Sequence, residues 1–271
     1  MKVRIIVSAV GIPLLLLVLL VLPPIATALL VGAMTMIAAY ELLWRTGLVR
    51  NVLLVAVSAL MALTVSLWCS SDMRWQAALI GLWGFLMVLV CLMIASHGKI
   101  PFEQVGLSVF AGLIVPMMLS ALTRIGTMDY GKYYILIPLV LCFGTDSAAY
   151  FVGCAIGRHK LAPIISPKKS WEGAIGGALG GIVLMFLYTL VLDIVFGFEV
   201  RYGACILYGI FGAIVCVIGD LAFSVVKRQS GIKDYGELLP GHGGILDRFD
   251  SMTFVAPMAE ALLLVMPLIV A

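Results

Sequence analysis

Residues 220–250 read DLAFSVVKRQSGIKDYGELLPGHGGILDRFD, the one charge-dense stretch of an otherwise apolar chain, set between two long hydrophobic segments. Asp220, Ser224, Lys227 and Arg228 recur at i, i+4, i+7 and i+8, the spacing of a single helical face. A membrane helix with such a stripe turns it toward a cavity, not toward lipid. Pro240, Gly241, Gly243 and Gly244 then break the helix, and glycine-rich backbone of this kind exposes N–H groups as phosphate-cradling loops do. Asp247 and Asp250 follow at i, i+3, where the next apolar segment begins. Carboxylates there suit an oxygen-loving cation such as Mg²⁺, and the lysines and arginines around them suit a polyphosphate.

Composition fixes the setting of this stretch. Hydrophobic residues make up 63% of the chain and charged residues 11%, with a mean hydropathy of +1.18, whereas soluble domains carry about a quarter charged residues. The expected fold is therefore all-α and polytopic in the membrane. A length of 271 residues supplies about nine spans at roughly 20 residues each. They are read at 5–22, 25–44, 52–69, 75–96, 105–122, 133–156, 173–196, 204–226 and 249–270. The first run is longer than a signal-peptide core and is expected to remain as a helix. Residues 1–126 read as membrane scaffold and 127–271 as the catalytic region of a single membrane domain.

Charge placement orients these spans. With the N-terminus in the cytoplasm, Lys2, Arg4, Arg45, Arg50, Lys99, Arg158, Lys160, Lys168, Lys169, Lys227, Arg228, Lys233 and Arg248 fall on the cytoplasmic side, against Arg74, Arg124, Lys132 and Arg201 outside. Thirteen against four is a strong positive-inside bias, and it opens the polar cavity to the cytoplasm. The net charge of +3 points to no particular partner, and no nucleic acid is expected. The six cysteines lie in or beside apolar runs without a C-x-x-C pair, so they read as small buried residues rather than zinc or redox groups.

Within the spans, ionisable groups are costly and mark function by default. Asp146, in Gly-Thr-Asp-Ser-Ala-Ala-Tyr, is expected to line the same cavity as Asp220. Asp193 reads as a solvated or paired end residue, Glu41 lies nearer an interface, and Glu260 is left open between cavity and helix pairing. The run Gly173, Gly176, Gly177, Gly180 and Gly181 carries two overlapping G-x-x-x-G patterns and predicts a helix central to packing. Basic residues of the 158–170 loop read equally well as headgroup contacts.

Ser224, Lys227, Arg228, Lys233, Asp234, Gly236, Leu239, Pro240, His242, Gly243, Gly244, Asp247, Arg248 and Asp250 match, at matching spacing, the signature of the phosphatidate cytidylyltransferases of bacterial type, also called CDP-diglyceride synthases. Ser166-Pro167-Lys168-Lys169-Ser170 followed by Glu172-Gly173 resembles that family's second recurring segment, with Ser170 in place of threonine. So many fixed positions make the resemblance specific, and in length and hydropathy it extends to the whole chain. It implies an integral membrane nucleotidyltransferase that moves a cytidylyl group from CTP to phosphatidic acid, in the inner membrane of a bacterium.

The resemblance and the carboxylate pattern together give expected roles. Asp220, Lys227, Asp247 and Arg248 are the expected catalytic residues. Lys168, Lys169, Ser224, Arg228, Lys233, His242, Gly243 and Gly244 are expected to bind substrate, with His242 a phosphate or loop-ordering contact before a general base. Asp220 and Asp247 are the expected Mg²⁺ ligands, with Asp250 and Asp146 as additional ligands or their supports; a second cation and a homodimer remain open expectations. The rival readings are a CTP-dependent polyprenol or lipid kinase, and an ion-coupled transporter using Asp146, Asp220 and Glu260.

Overall fold

The structure, a computed structural model, describes residues 2–69, 75–238, 240–241 and 243–270, with the side chains of 2–8 and 75 excepted. His242, Leu239, Arg74 and the side chains of Lys2 and Arg4 thus lie outside the described residues. Each of the nine anticipated segments contains helix. Among the described residues, six stretches are long and apolar enough to cross a bilayer: Pro24–Arg45, Gln76–Ala95, Phe102–Gly126, Gly131–Ile156, Trp171–Phe196 and Ala204–Gln229. Val52–Trp68 and Ala9–Leu20 are apolar but shorter. This is the architecture of an α-helical, polytopic membrane protein.

The chain divides into two compact units, Met1–Thr127 with Gln229–Phe249, and Met128–Arg228 with Asp250–Ala271. The first holds α1 (Lys2–Leu20), α2 (Pro24–Tyr40), α3 (Val52–Trp68), α4 (Trp75–Ala95), α5 (Phe102–Val109), α6 (Val115–Leu119) and α7 (Ala121–Gly126). Pro24 opens α2, where its missing N–H costs nothing, and Asn51 caps α3 by accepting from Leu53 N and Leu54 N at 2.9 and 3.2 Å. Small and hydroxylated residues join these helices. A Cβ on Gly32 would lie 3.0 Å from the Leu63 carbonyl oxygen, Thr35 donates to Ala62 O at 3.0 Å, and the buried Ser66 and Ser120 hydroxyls meet at 2.9 Å. That is how helices associate where lipid offers no hydrophobic drive.

Two features of this unit depart from uniform spans. The segment expected at 105–122 extends over Phe102–Gly126 and contains a π-turn at Phe110–Ile114 directly before Pro116. Pro116 has no N–H for the carbonyl four residues earlier and its ring crowds that carbonyl, so a widened turn relieves the helix there. A second π-turn, Glu41–Arg45, ends the rod begun by α2.

The second unit holds α8 (Gly131–Tyr134), α9 (Leu136–Ile156), a hairpin of β1 (Lys160–Ala162) and β2 (Ser166–Ser170), α10 (Trp171–Phe196), α11 (Ala204–Gln229) and most of α12 (Leu246–Val265). The glycine run of α10 packs on α9 as its spacing predicts: Cβ atoms on Gly176, Gly177 and Gly180 would run into Val152, Thr145 with Ala149, and Ala148. The strands pair antiparallel, Lys160 with Ser170 and Ala162 with Ser166, where the sequence read only a loop. The last helix stops at Val265 rather than running to 270. Pro267 disfavours helix just before it, and the freed tail bridges Val200 to Ile269.

A crossing in this unit made backbone against backbone joins α10 and α11 at Gly209, where a Cβ would lie 2.5 Å from Ile182 N and 2.6 Å from its Cα. Backbone cannot yield as a side-chain tip can. Gly209→Ala is expected to cost about 1–3 kcal/mol and to lower the melting temperature in detergent. Gly84→Ala, in α4 with nothing within 4 Å, should leave it unchanged or slightly raised.

Candidate active site

In the second unit the polar stripe of α11 forms as its spacing predicts. Ser224 donates to Asp220 Oδ1 at 3.4 Å, one helical turn away, and Lys227 is buried with 8% of its surface exposed. Gly219, the residue before Asp220, lets α12 come close: a Cβ there would sit 3.0 Å from Ser251 Cα and 3.2 Å from Asp250 O. Ser251 also donates to the Cys216 carbonyl at 3.1 Å. Asp220 and Asp250 therefore face the same crossing, and Asp250, only 7% exposed, feels the charges of Asp220, Lys227 and Asp146. Asp146 on α9 accepts a weak hydrogen bond from Cys216 Sγ at 3.4 Å.

The hairpin brings a second set of charges to α11. Lys169 forms an ion pair with Asp220, and Arg228 Nε donates to the Ile165 carbonyl at 3.3 Å. This partner of Asp220 comes from β2, far from α11 in sequence. Lys168, its neighbour, alternates to the exposed side of the strand. Glu172 closes the base of the hairpin, accepting from Arg158 N at 3.1 Å and His159 N at 3.2 Å and meeting His159 Nδ1 at 2.6 Å. Ser170 caps α10 by accepting from Gly173 N at 3.1 Å, so its hydroxyl has a structural task a threonine would also perform.

The signature loop, in the first unit, is organised around carboxylates. Asp247, 8% exposed, accepts from Tyr235 N at 2.7 Å and Gly244 N at 3.0 Å through the same oxygen, Oδ2. Gly243 has φ +87°, and a Cβ on it would lie 3.0 Å from that oxygen. A side chain here is both strained and obstructed. Lys233 and Arg248 are exposed. The amide of Gly244 thus serves Asp247, and glycine provides close approach for a carboxylate of the chain itself.

Glu41 is the residue that sequence reasoning underrated. Only 2% exposed, it accepts from Ile245 N at 3.0 Å and Leu246 N at 2.8 Å. A glutamate at the end of an apolar helix was the available signal; its partner lies 204 residues away. Asp193, read as a solvated or paired end residue, accepts from the Tyr202 hydroxyl at 2.6 Å.

Among the described residues no three His, Cys, Asp or Glu side chains form a metal site by themselves. Mg²⁺ does not require one, since it binds through one or two carboxylates with water and substrate phosphates. Asp220 and Asp250, two carboxylates at one helix crossing with Lys227 near Asp250, fit that habit.

Comparison with known proteins shows the family of the chain. The model of the cytidylyltransferase family matches residues 2–266. A phosphatidate cytidylyltransferase of Bacillus subtilis is 35% identical over 241 residues, covering 87% of this chain and 87% of that one. Shorter matches reach 41% identity with the phosphatidate cytidylyltransferases of Haemophilus influenzae, over 47% of this chain and 44% of that one, and of Staphylococcus aureus strain COL, over 51% and 52%.

Proposed function

This chain belongs to the cytidylyltransferase family, and from that premise we infer that it is a phosphatidate cytidylyltransferase, transferring the cytidylyl group of CTP to phosphatidic acid. The products are CDP-diacylglycerol, an intermediate for phospholipid synthesis, and pyrophosphate. The observation that carries the reading is the placing of Asp220 and Asp250 at one crossing of α11 and α12, with Lys227 near Asp250 and Lys169 paired to Asp220. In this reading the protein lies in the inner membrane of a bacterium with its N-terminus in the cytoplasm, a topology supported by the distribution of Lys and Arg between the loops, so that CTP enters from water and phosphatidate from the inner leaflet.

The reaction is an in-line displacement. A phosphate oxygen of phosphatidate attacks the α-phosphorus of CTP, a new P–O bond forms, and the α–β bridging bond breaks with its electrons leaving on pyrophosphate. A phosphomonoester is ionised at neutral pH, so no general base is required. The difficulty is that two anions must meet, and the remedy is charge neutralisation and alignment. Mg²⁺ held by Asp220 and Asp250 would supply a positive centre for the triphosphate. Lys227 and Arg228 on α11, with Lys168 and Lys169 on β2, bring donors to phosphate oxygens. Lys169 has a further consequence: its pairing with Asp220 keeps the carboxylate compensated until substrate phosphate takes the ammonium. Asp247 fixes the loop that carries Arg248, and His242 remains a phosphate or loop contact.

The test uses the full chain in vesicles containing phosphatidate. Pyrophosphate should be released only when CTP, phosphatidate and Mg²⁺ are all present, and replacing phosphatidate by diacylglycerol should abolish it. Release of CDP with a lipid alcohol as acceptor would instead mark a kinase and overturn the reading.

A further inference from the structure

We propose that Glu41 is a positioning residue for the transfer, holding the start of α12 and through it Asp247. Glu41 belongs to the π-turn that ends the α2 rod, far from the signature in sequence. Its two oxygens divide the work: Oε1 accepts from Ile245 N and Oε2 from Leu246 N. These are the amides of the residue just before α12 and of its first residue, among the donors that a helix leaves without intrahelical partners. A capping side chain usually comes from the residue just before the helix. Here a buried carboxylate from another helix does the same task, and its negative charge is favourable at that end.

The loop is shaped to admit it. Cβ atoms on Gly236 and Gly244 would each run into the Glu41 carboxylate, so both glycines are required by close approach rather than by flexibility. Gly244 also donates to Asp247 Oδ2 at 3.0 Å, and Tyr235, next to Gly236, donates to the same oxygen at 2.7 Å. The backbone that wraps Glu41 is therefore the backbone that orients Asp247. A shift of one displaces the other, and Arg248 follows Asp247 in the chain.

The inference rests on the cytidylyltransferase reading and is tested beside it. Glu41→Gln keeps the size of the side chain but replaces one acceptor by an NH₂ that faces an N–H donor. Expected are a fall in kcat of about ten- to a hundredfold, as for groups that orient a site, KM values for CTP and phosphatidate within about threefold, and a melting temperature close to wild type. Amide hydrogen exchange over residues 243–249 should rise independently of activity. Gly236→Ala, which presses a methyl group on the same carboxylate, should reproduce the kcat loss and serves if the Glu41 variant does not fold.

A kcat loss that vanishes when activity is expressed per folded protein reduces Glu41 to a structural anchor and overturns the proposal. Raised exchange with unchanged kcat does the same. If the wild type makes no CDP-diacylglycerol while its exchange pattern is intact, the failure lies with the reading of function, and the positioning role falls with it.

Discussion

Asp220→Asn and Asp250→Asn should each lower kcat/KM for CTP by at least about a hundredfold while the folded protein persists. The change keeps the shape of each side chain and removes a charge from a site whose chemistry is charge neutralisation, where the loss of a single stabilising group costs about a hundred- to a thousandfold. Stability should respond far less. The Lys169–Asp220 pair is partly exposed, at 23% and 26%, and pairs of that kind contribute about 0–1 kcal/mol. Asp250 keeps its own contact with Ser251 N, at 2.7 Å through Oδ1, which an asparagine oxygen can also accept. Raising Mg²⁺ should restore part of the activity of either single variant but none in the double variant. Near-wild-type turnover with unchanged Mg²⁺ dependence in either would remove that residue from the proposed metal site.

Lys227→Met is expected to have the next largest effect, a fall of about a hundredfold in kcat/KM. Lys227 is buried at 8% exposure and its charge acts on Asp250, as does that of Asp220. Methionine retains the apolar stem and removes the ammonium, leaving two like charges less compensated and the triphosphate without one donor. Arg at the same position, with a longer planar head, should restore only part of the activity. A Lys227→Met enzyme with wild-type kcat/KM would make this lysine a helix-packing residue.

The polar stripe and the glycine-rich packing helix could be read from the sequence because each depends on local periodicity, whereas α11 ends at Gln229, before the proline and glycines expected to break it. Gly176, Gly177 and Gly180 predicted a close neighbour, and the structure shows which residues of α9 supply it. What could not be read depended on contacts distant in sequence. Asp220 gave no sign that Lys169 would be its partner, because Ser-Pro-Lys-Lys-Ser reads as a basic loop and becomes a strand only when paired with Lys160–Ala162. Gly219 gave no sign that it would admit α12 and set Asp250 beside Asp220. Glu41 reads as a residue near an interface, and its partner amides lie in a loop 204 residues away. The early end of α12 is legible in Pro267, although the hydrophobic run continues past it.

The loop carries a similar lesson about glycine. Gly243 and Gly244 suggested a phosphate cradle, since glycine exposes backbone amides. In the structure the amide of Gly244 serves the chain's own Asp247, and the space beside Gly236 and Gly244 is filled by Glu41. A glycine pattern states that something approaches the backbone closely. It does not state whether a ligand or another side chain does so.

The most direct measurement of the central claim is the fate of phosphorus from CTP labelled at either the α or the γ position, with phosphatidate vesicles and the full chain. Cytidylyl transfer predicts that the α label enters the lipid and the γ label leaves as pyrophosphate, with neither movement in the Asp220→Asn, Asp250→Asn double variant. Label from the γ position in the lipid, with CDP released, would contradict the account.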